Sequence, residues 1–351
     1  ELIKFIRGDS GLPSRVYRTL SWFIIPFGGL ASLHLMSLIA ATVSAVLLLT
    51  TGQRLMGRLG CIAAFGALLY EPWLKYNWEA RSYSFFLAWS CVALWQACHR
   101  IDDDEPPPMG GILLATGFAC MENPLCSILG FAALTAKSRR YGLSSISRQS
   151  WIGLALIVAA CTPFAIQSIE VHRGLSHHIQ PDTYSTVLLA IAAIVPGLFA
   201  QGRRGWLAET AFIASIATGI AIVLNIIPVH ERVFLLAVPW VLGGFLCGLH
   251  SKPKWALAAG IAVLTAVITG NSLMLNKRIN QSIDRAETAR ETHQYLETAD
   301  AQVVHFEPRH ARYPVMSIAT DLRHIESCGL NTHPPGLPQR YQTNDKPTCA
   351  D

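Results

Sequence analysis

The stretch GLASLHLMSLIAATVSAVLLLTTGQRLMGR, residues 29–58, decides how the rest of the chain is read. It runs from Gly29 to Gly52 without a single Asp, Glu, Lys or Arg, and then closes on Arg54 and Arg58. A helix rises ~1.5 Å per residue and bilayer hydrocarbon is ~30 Å thick, so an uncharged run of about 20 residues reads as a membrane crossing. Working outward, similar runs recur at residues 59–76, 82–98, 109–121, 124–137, 152–169, 184–200, 207–225, 231–249 and 254–275. Charged residues make up 15% of the 351-residue chain, against about 25% in soluble domains, and up to Leu275 they concentrate in the breaks between runs. The expected fold class is an all-α polytopic membrane protein with about ten transmembrane crossings.

Two of these runs are short, 109–121 and 124–137, and meet at Glu122-Asn123-Pro124. Proline after two polar residues ends a helix, so the pair is either two short crossings or one broken span. Charge asymmetry arbitrates. With both counted as crossings, alternate breaks gather Arg54, Arg58, Arg100, Lys137, Arg139, Arg140, Arg148, Arg203, Arg204, Lys252 and Lys254 on one face. The other face keeps Lys75, Arg81, Arg173 and Arg232. The richer set belongs on the cytoplasmic side. This orientation places residues 276–351 outside, and makes LPSRVYRTLSWFIIPFG, residues 12–28, an interfacial helix on the outer surface rather than a further span.

Three regions follow: an extracytoplasmic segment with the interfacial helix at 1–28, a transmembrane domain at 29–275, and a soluble extracytoplasmic tail at 276–351. The tail opens with interleaved acidic and basic residues, continues through the strand candidate AQVVHFEP and ends Pro-rich, which reads as a small α/β cap. Cys328 and Cys349 lie there and are free to pair if the compartment is oxidising. The net charge of +5 follows the loops and forms no basic stripe interleaved with aromatics, so no nucleic-acid partner is expected.

Four outer-face features rise above generic apolar sequence. YEPWLKYNWEARSYSFF, residues 70–86, sets Lys75, Glu79 and Arg81 at the boundary among Trp73, Tyr76, Trp78 and Tyr83. It reads as an interfacial anchor, or as a site where Arg81 meets an anionic phosphate that Glu79 helps to orient. NIIPVHERVFLLAVPW, residues 225–240, carries Arg232 just inside an apolar run behind His230, suited either to a lipid phosphate or to snorkelling. The loop 170–183, with His172, His177, His178 and Asp182, has no repeated ligand spacing, and no metal site is assigned. Glu122, at the outer end of the two short helices, reads best as a polar cap.

The order of these features resembles the polyprenyl-phosphate-dependent glycosyltransferases of the GT-C superfamily, the group of protein O-mannosyltransferases and the lipid A aminoarabinose transferase. The points of resemblance are the Pro-containing interfacial helix, the basic turn TTGQRLMGR, the stretch Glu79-Ala80-Arg81-Ser82-Tyr83, and a late span running from Arg232 to Pro239. The resemblance implies transfer of a sugar, hexosyl or pentosyl, from a polyprenyl-phosphate donor to a lipid, glycan or protein acceptor at the outer face of a cell membrane. Arg81, Arg232, Lys75, Tyr83 and His230 would then bind substrate. The family's acidic Asp-Glu pair would precede Glu1, leaving Glu79 as the in-chain candidate for the general base and a product without that segment inactive. The chain departs from the family at His34 and at Glu122-Asn123. No cofactor is assigned, and a divalent cation stays open. Two other classes remain: a non-catalytic GT-C-like subunit, and a transporter or lipid flippase, which usually shows internal repeats and mid-span ionisable residues that are scarce here.

Overall fold

The computed structural model describes residues 15–70, 73–74, 82–172, 191–223, 235 and 237–250. The chain divides into two units at Ser272/Leu273, and all the described residues lie in the first. Among them the structure is helical, with short 3-10 turns and no strand. The helices are α1 (Arg15–Leu68), α2 (Tyr83–Ala97), α3 (Met109–Glu122), α4 (Ser127–Tyr141), α5 (Arg148–His172), α6 (Gly202–Val223) and α7 (Val238–His250). The 3-10 turns are Pro124–Cys126, Leu143–Ser145 and Val195–Phe199.

Helix α1 is continuous in hydrogen bonding but not straight. The thiol of Cys61 reaches the carbonyl of Leu49 at 3.7 Å, whereas twelve residues of straight helix would separate them by ~18 Å. The chain therefore reverses between them. Gly57 supplies the turn with φ +60°, and Gly52 and Gly60 pack backbone to backbone, where a Cβ on either would overlap the other's carbonyl. Only glycine takes that φ without strain and permits that approach. The expected pair of runs, 29–51 and 59–76, is thus a tight helical hairpin whose second arm ends at Leu68.

A second bend lies nearer the start of α1. The Tyr17 ring packs edge-on against Phe85 at 5.6 Å, and the Arg54 guanidinium lies 4.9 Å from the Trp95 ring centroid. Phe85 and Trp95 are ten residues apart in α2, ~15 Å, while Tyr17 and Arg54 would be ~55 Å apart in a straight helix. Pro26, inside α1 and followed by Gly28-Gly29, is the sequence feature able to bend it. The expected interfacial helix is therefore helical, but joined to the first arm without a break.

The remaining helices alternate in direction. Gln96 meets Gly111 and Trp89 stacks on Phe118 at 4.8 Å, so α2 and α3 run antiparallel. Gly130 packs on Thr116 and Leu113, which closes α3 and α4 into a hairpin at the Glu122-Asn123-Pro124 break. Asn123 caps the turn, its side chain accepting from the Leu125 N–H at 3.1 Å. The expected pair of short helices is present, displaced by a few residues. Gly110 against Gln149 and Gly117 against Leu156 set α5 parallel to α3. Gly244 and Gly248 of α7 pack on Ile194, Pro196 and Gly197. There the expected span 184–200 ends in a 3-10 turn, because Pro196 cannot continue a helix. The span drawn from 231 to 249 is interrupted by a turn at Ala237; Pro239 sits in the first turn of α7, where its missing N–H leaves no gap in the helix.

Among the described residues one helical stretch, Ala31–Leu68, is long and apolar enough to cross a membrane by length and composition. Its uncharged first arm, residues 31–52, is ~33 Å long on its own. Met109–Glu122 and Val238–His250 are shorter apolar helices.

Candidate functional site

The two ends of this bundle differ in chemistry. At one end lie the Gly57 turn, residues 98–108, the close of α4, the start of α6 and the end of α7, and several of the arginines there are held by fixed partners. Arg203 donates to the carbonyls of His99 (2.6 Å), Arg100 (3.0 Å), Glu105 (2.8 Å) and Pro106 (3.3 Å). That grip holds Arg100 at φ +54°, a backbone region that costs a non-glycine residue of order 1 kcal/mol. Arg204 pairs with Asp102 at 2.8 Å and donates to Leu55 O at 3.1 Å, which ties the α1 turn to α6. Arg140 binds Glu209 at 2.6 Å and the carbonyls of Ala200 and Leu198; Arg139 also pairs with Glu209. Lys137 donates to Pro107 O at 3.1 Å. Burial and the nearby Arg204 guanidinium hold the His250 imidazole below its ordinary range, with Asp102 opposing. These cations brace loops.

The basic residues that the sequence assigned to one face thus meet at one end, as far as they are described. The donor geometry explains why arginine serves there. A planar fork satisfies several loop carbonyls at once, which an ammonium cannot do.

At the opposite end the side chains are aromatic, acidic and hydroxylated. Glu122 is buried and accepts the Tyr17 N–H at 2.8 Å. Tyr83, half-buried in the first turn of α2, packs edge-on against Phe86 at 5.9 Å. Ser84 is buried beside it, and its Oγ has no hydrogen-bond partner; nor has the indole N–H of buried Trp240 in the first turn of α7. Buried polar atoms of this kind normally find partners, and they are not confined to this end: Thr51 Oγ1 and Tyr141 Oη are in the same condition. The end is also stepped. Helices α2 and α3 span ~20 Å each, whereas α5 at 25 residues extends ~37 Å and rises past the α3–α4 break.

Of the residues expected to bind substrate, Tyr83 lies at this stepped end. Lys75, Glu79, Arg81, His230 and Arg232 lie outside the described residues, as do loop 173–183 and the tail. The sequence reads Glu122 as a helix-terminus polar cap, and the structure sets it at the first turn of a helix 105 residues away in sequence; which helix it meets has no signal in the sequence. Among the described residues no group of three His, Cys, Asp or Glu side chains is placed to hold a metal ion. Comparison of the chain with known protein families, curated proteins and solved structures finds no match.

Proposed function

We propose that the chain is a multi-pass membrane glycosyltransferase of the polyprenyl-phosphate-dependent kind, working at the end of the bundle that carries Tyr17, Tyr83 and Glu122. The observation that carries this reading is the Glu79-Ala80-Arg81-Ser82-Tyr83 stretch, which runs into α2 at the point where the amphipathic start of α1 docks through Tyr17 and Phe85. The interfacial helix and this stretch are both points of the resemblance, and the ring contact joins Tyr17 of the one to Phe85, two residues beyond the other.

The membrane setting draws support from the surface of α1. Leu35, Leu38, Ile39, Val43 and Val46 are exposed and recur at three- and four-residue steps, which lines them along one helical face. Only 28% of the most apolar window of this helix is buried; the core helix of a water-soluble protein would be mostly covered. Exposed apolar side chains on α3, α4, α5 and α6 (Leu114, Phe131, Trp151, Ile152, Ile216 and Ile220) extend the same character around the bundle. A continuous apolar surface is unfavourable in water and required in lipid. With the basic end at the cytoplasmic face, the alternating helices cross about ten times and the tail lies outside.

The chemistry follows from the donor. A sugar leaving a polyprenyl phosphate releases a phosphate anion, which calls for positive charge more than for a general acid. Arg81 and Arg232, with Lys75 nearby in sequence, supply it through charge-assisted hydrogen bonds. Glu79 is the in-chain candidate to take the acceptor's proton. Tyr83 and His230 line the donor. The stepped end of the bundle suits a substrate whose prenyl chain stays in hydrocarbon while its headgroup reacts at the boundary.

The test is turnover of a polyprenyl-phosphate sugar by the protein in lipid nanodiscs, beside Arg81→Ala and Arg232→Ala. The expected result is a fall of about a hundredfold or more in kcat/KM for each. Unchanged turnover in both variants removes the phosphate-binding role.

A further inference from the structure

We infer that Glu122 is a positioning residue: its carboxylate latches the amphipathic start of α1 onto the α3–α4 break and so fixes that helix beside the entrance to α2. Three observations converge on it. Glu122 is 1% exposed and ends a helix of otherwise uncharged residues, so it is an ionisable group inside the apolar part of the bundle, where such groups are held by specific partners. Its Oε1 accepts the Tyr17 N–H at 2.8 Å across 105 residues of chain. Tyr17 belongs to the first turn of α1, where backbone N–H groups have no carbonyl within the helix and the helix dipole is positive, so a carboxylate is the favoured partner there. The Tyr17 ring then packs on Phe85, four residues after Arg81. One side chain thus joins three elements: the α3–α4 hairpin through its own backbone, α1 through the Tyr17 amide, and the start of α2 through the tyrosine ring.

The geometry explains an otherwise unfavourable choice of residue. A carboxylate at the end of an apolar run is expensive unless it is satisfied. The contact gives its Oε1 a donor from the first turn of α1. Removing Glu122 would take away the carboxylate acceptor of the Tyr17 N–H and release the start of α1 from the break, while leaving Gly130, Thr116 and Ile157 packed as they are. The inference rests on the transferase reading only for its catalytic consequence, the placement of the start of α1 beside the first turn of α2. The latch itself can be measured without turnover.

The experiment is amide hydrogen exchange on the protein in lipid nanodiscs, comparing the wild type with Glu122→Ala, Glu122→Gln and Phe85→Ala. The latch predicts that Glu122→Ala speeds exchange of the amides at residues 16–23 by at least tenfold while residues 112–118 and 150–157 stay protected. Glu122→Gln retains an acceptor oxygen and keeps residues 16–23 within about threefold of the wild type. Phe85→Ala, which removes the ring contact but not the hydrogen bond, falls between them. Unchanged exchange at 16–23 in Glu122→Ala overturns the inference, as does deprotection of 112–118 to the same degree or a Glu122→Gln protein as open as Glu122→Ala. A protein that shows the latch but no sugar transfer fails the transferase reading alone; one that turns over without it fails this inference alone.

Discussion

The two ends of the bundle are built from different materials. At the basic end, arginines on α4 and α6 grip loop carbonyls and acidic side chains, so turns as far apart in sequence as 55, 102 and 204 form one braced plate. At the other end the described contacts are aromatic edges and an amide on a carboxylate. Multidentate charge networks fix geometry, whereas ring packing and single hydrogen bonds leave room for adjustment. On the proposed transferase reading, that division would let the protein admit a substrate at one face while keeping its helices in register.

Substitutions probe this division between the two ends, with the greatest loss expected at the Gly57 turn. Gly60→Leu forces a side chain into the Gly52 backbone and should cost about 3 kcal/mol or more, read as loss of folded protein in detergent. Next is Glu209→Ala, which strands the largely buried Arg140 beside Arg139; the expected loss is about 3 kcal/mol in reversible unfolding by denaturant in mixed micelles. A smaller loss would mean that the carbonyls of Ala200 and Leu198 hold Arg140 unaided. Gly57→Ala meets no steric obstacle and carries only the left-handed φ, so it should cost about 1 kcal/mol. Arg54→Ala removes an exposed cation–π contact with Trp95 and should shift stability by about 0.5 kcal/mol.

The smallest effect is one of pH. The native pKa of His250 lies below its ordinary 6.5, so the unfolded chain takes up the proton first on acidification. Stability from this group is present above pH 6.5 and declines as the pH falls through the lower native value. His250→Gln should flatten that slope in stability measured between pH 7 and 5. An unchanged slope would place the acid sensitivity of this end elsewhere.

Much of the fold was legible because apolar run length and charge placement are set by local composition. Helices α2 and α3 fall within a residue or two of the runs read at 82–98 and 109–121, and the Glu122-Asn123-Pro124 break holds because proline and an Asx cap act through neighbouring backbone. The basic set was readable for a similar reason, since arginines in short breaks tend to share a face. What sequence could not supply were contacts set by tertiary packing. Nothing near Tyr17 announces a carboxylate 105 residues on, and nothing in GRRG says that Arg203 will gather four carbonyls. The Gly52–Gly60 approach was also hidden, because the apolar period runs through it undisturbed. Of the candidate site, Tyr83 is placed and the motif's cations lie outside the described residues, so the chemistry rests on pattern while its scaffold rests on geometry.

The reversal at Gly57 has a consequence for how the protein is made. On the proposed membrane reading, the hairpin of residues 31–68 satisfies its backbone internally and closes on itself through Gly52 and Gly60 before any later helix has been synthesised. It can therefore enter the bilayer as a preassembled pair, with Arg54 and Arg58 at its tip held on the side of synthesis. The orientation of every helix that follows would be decided at that first step, by two arginines and two glycines.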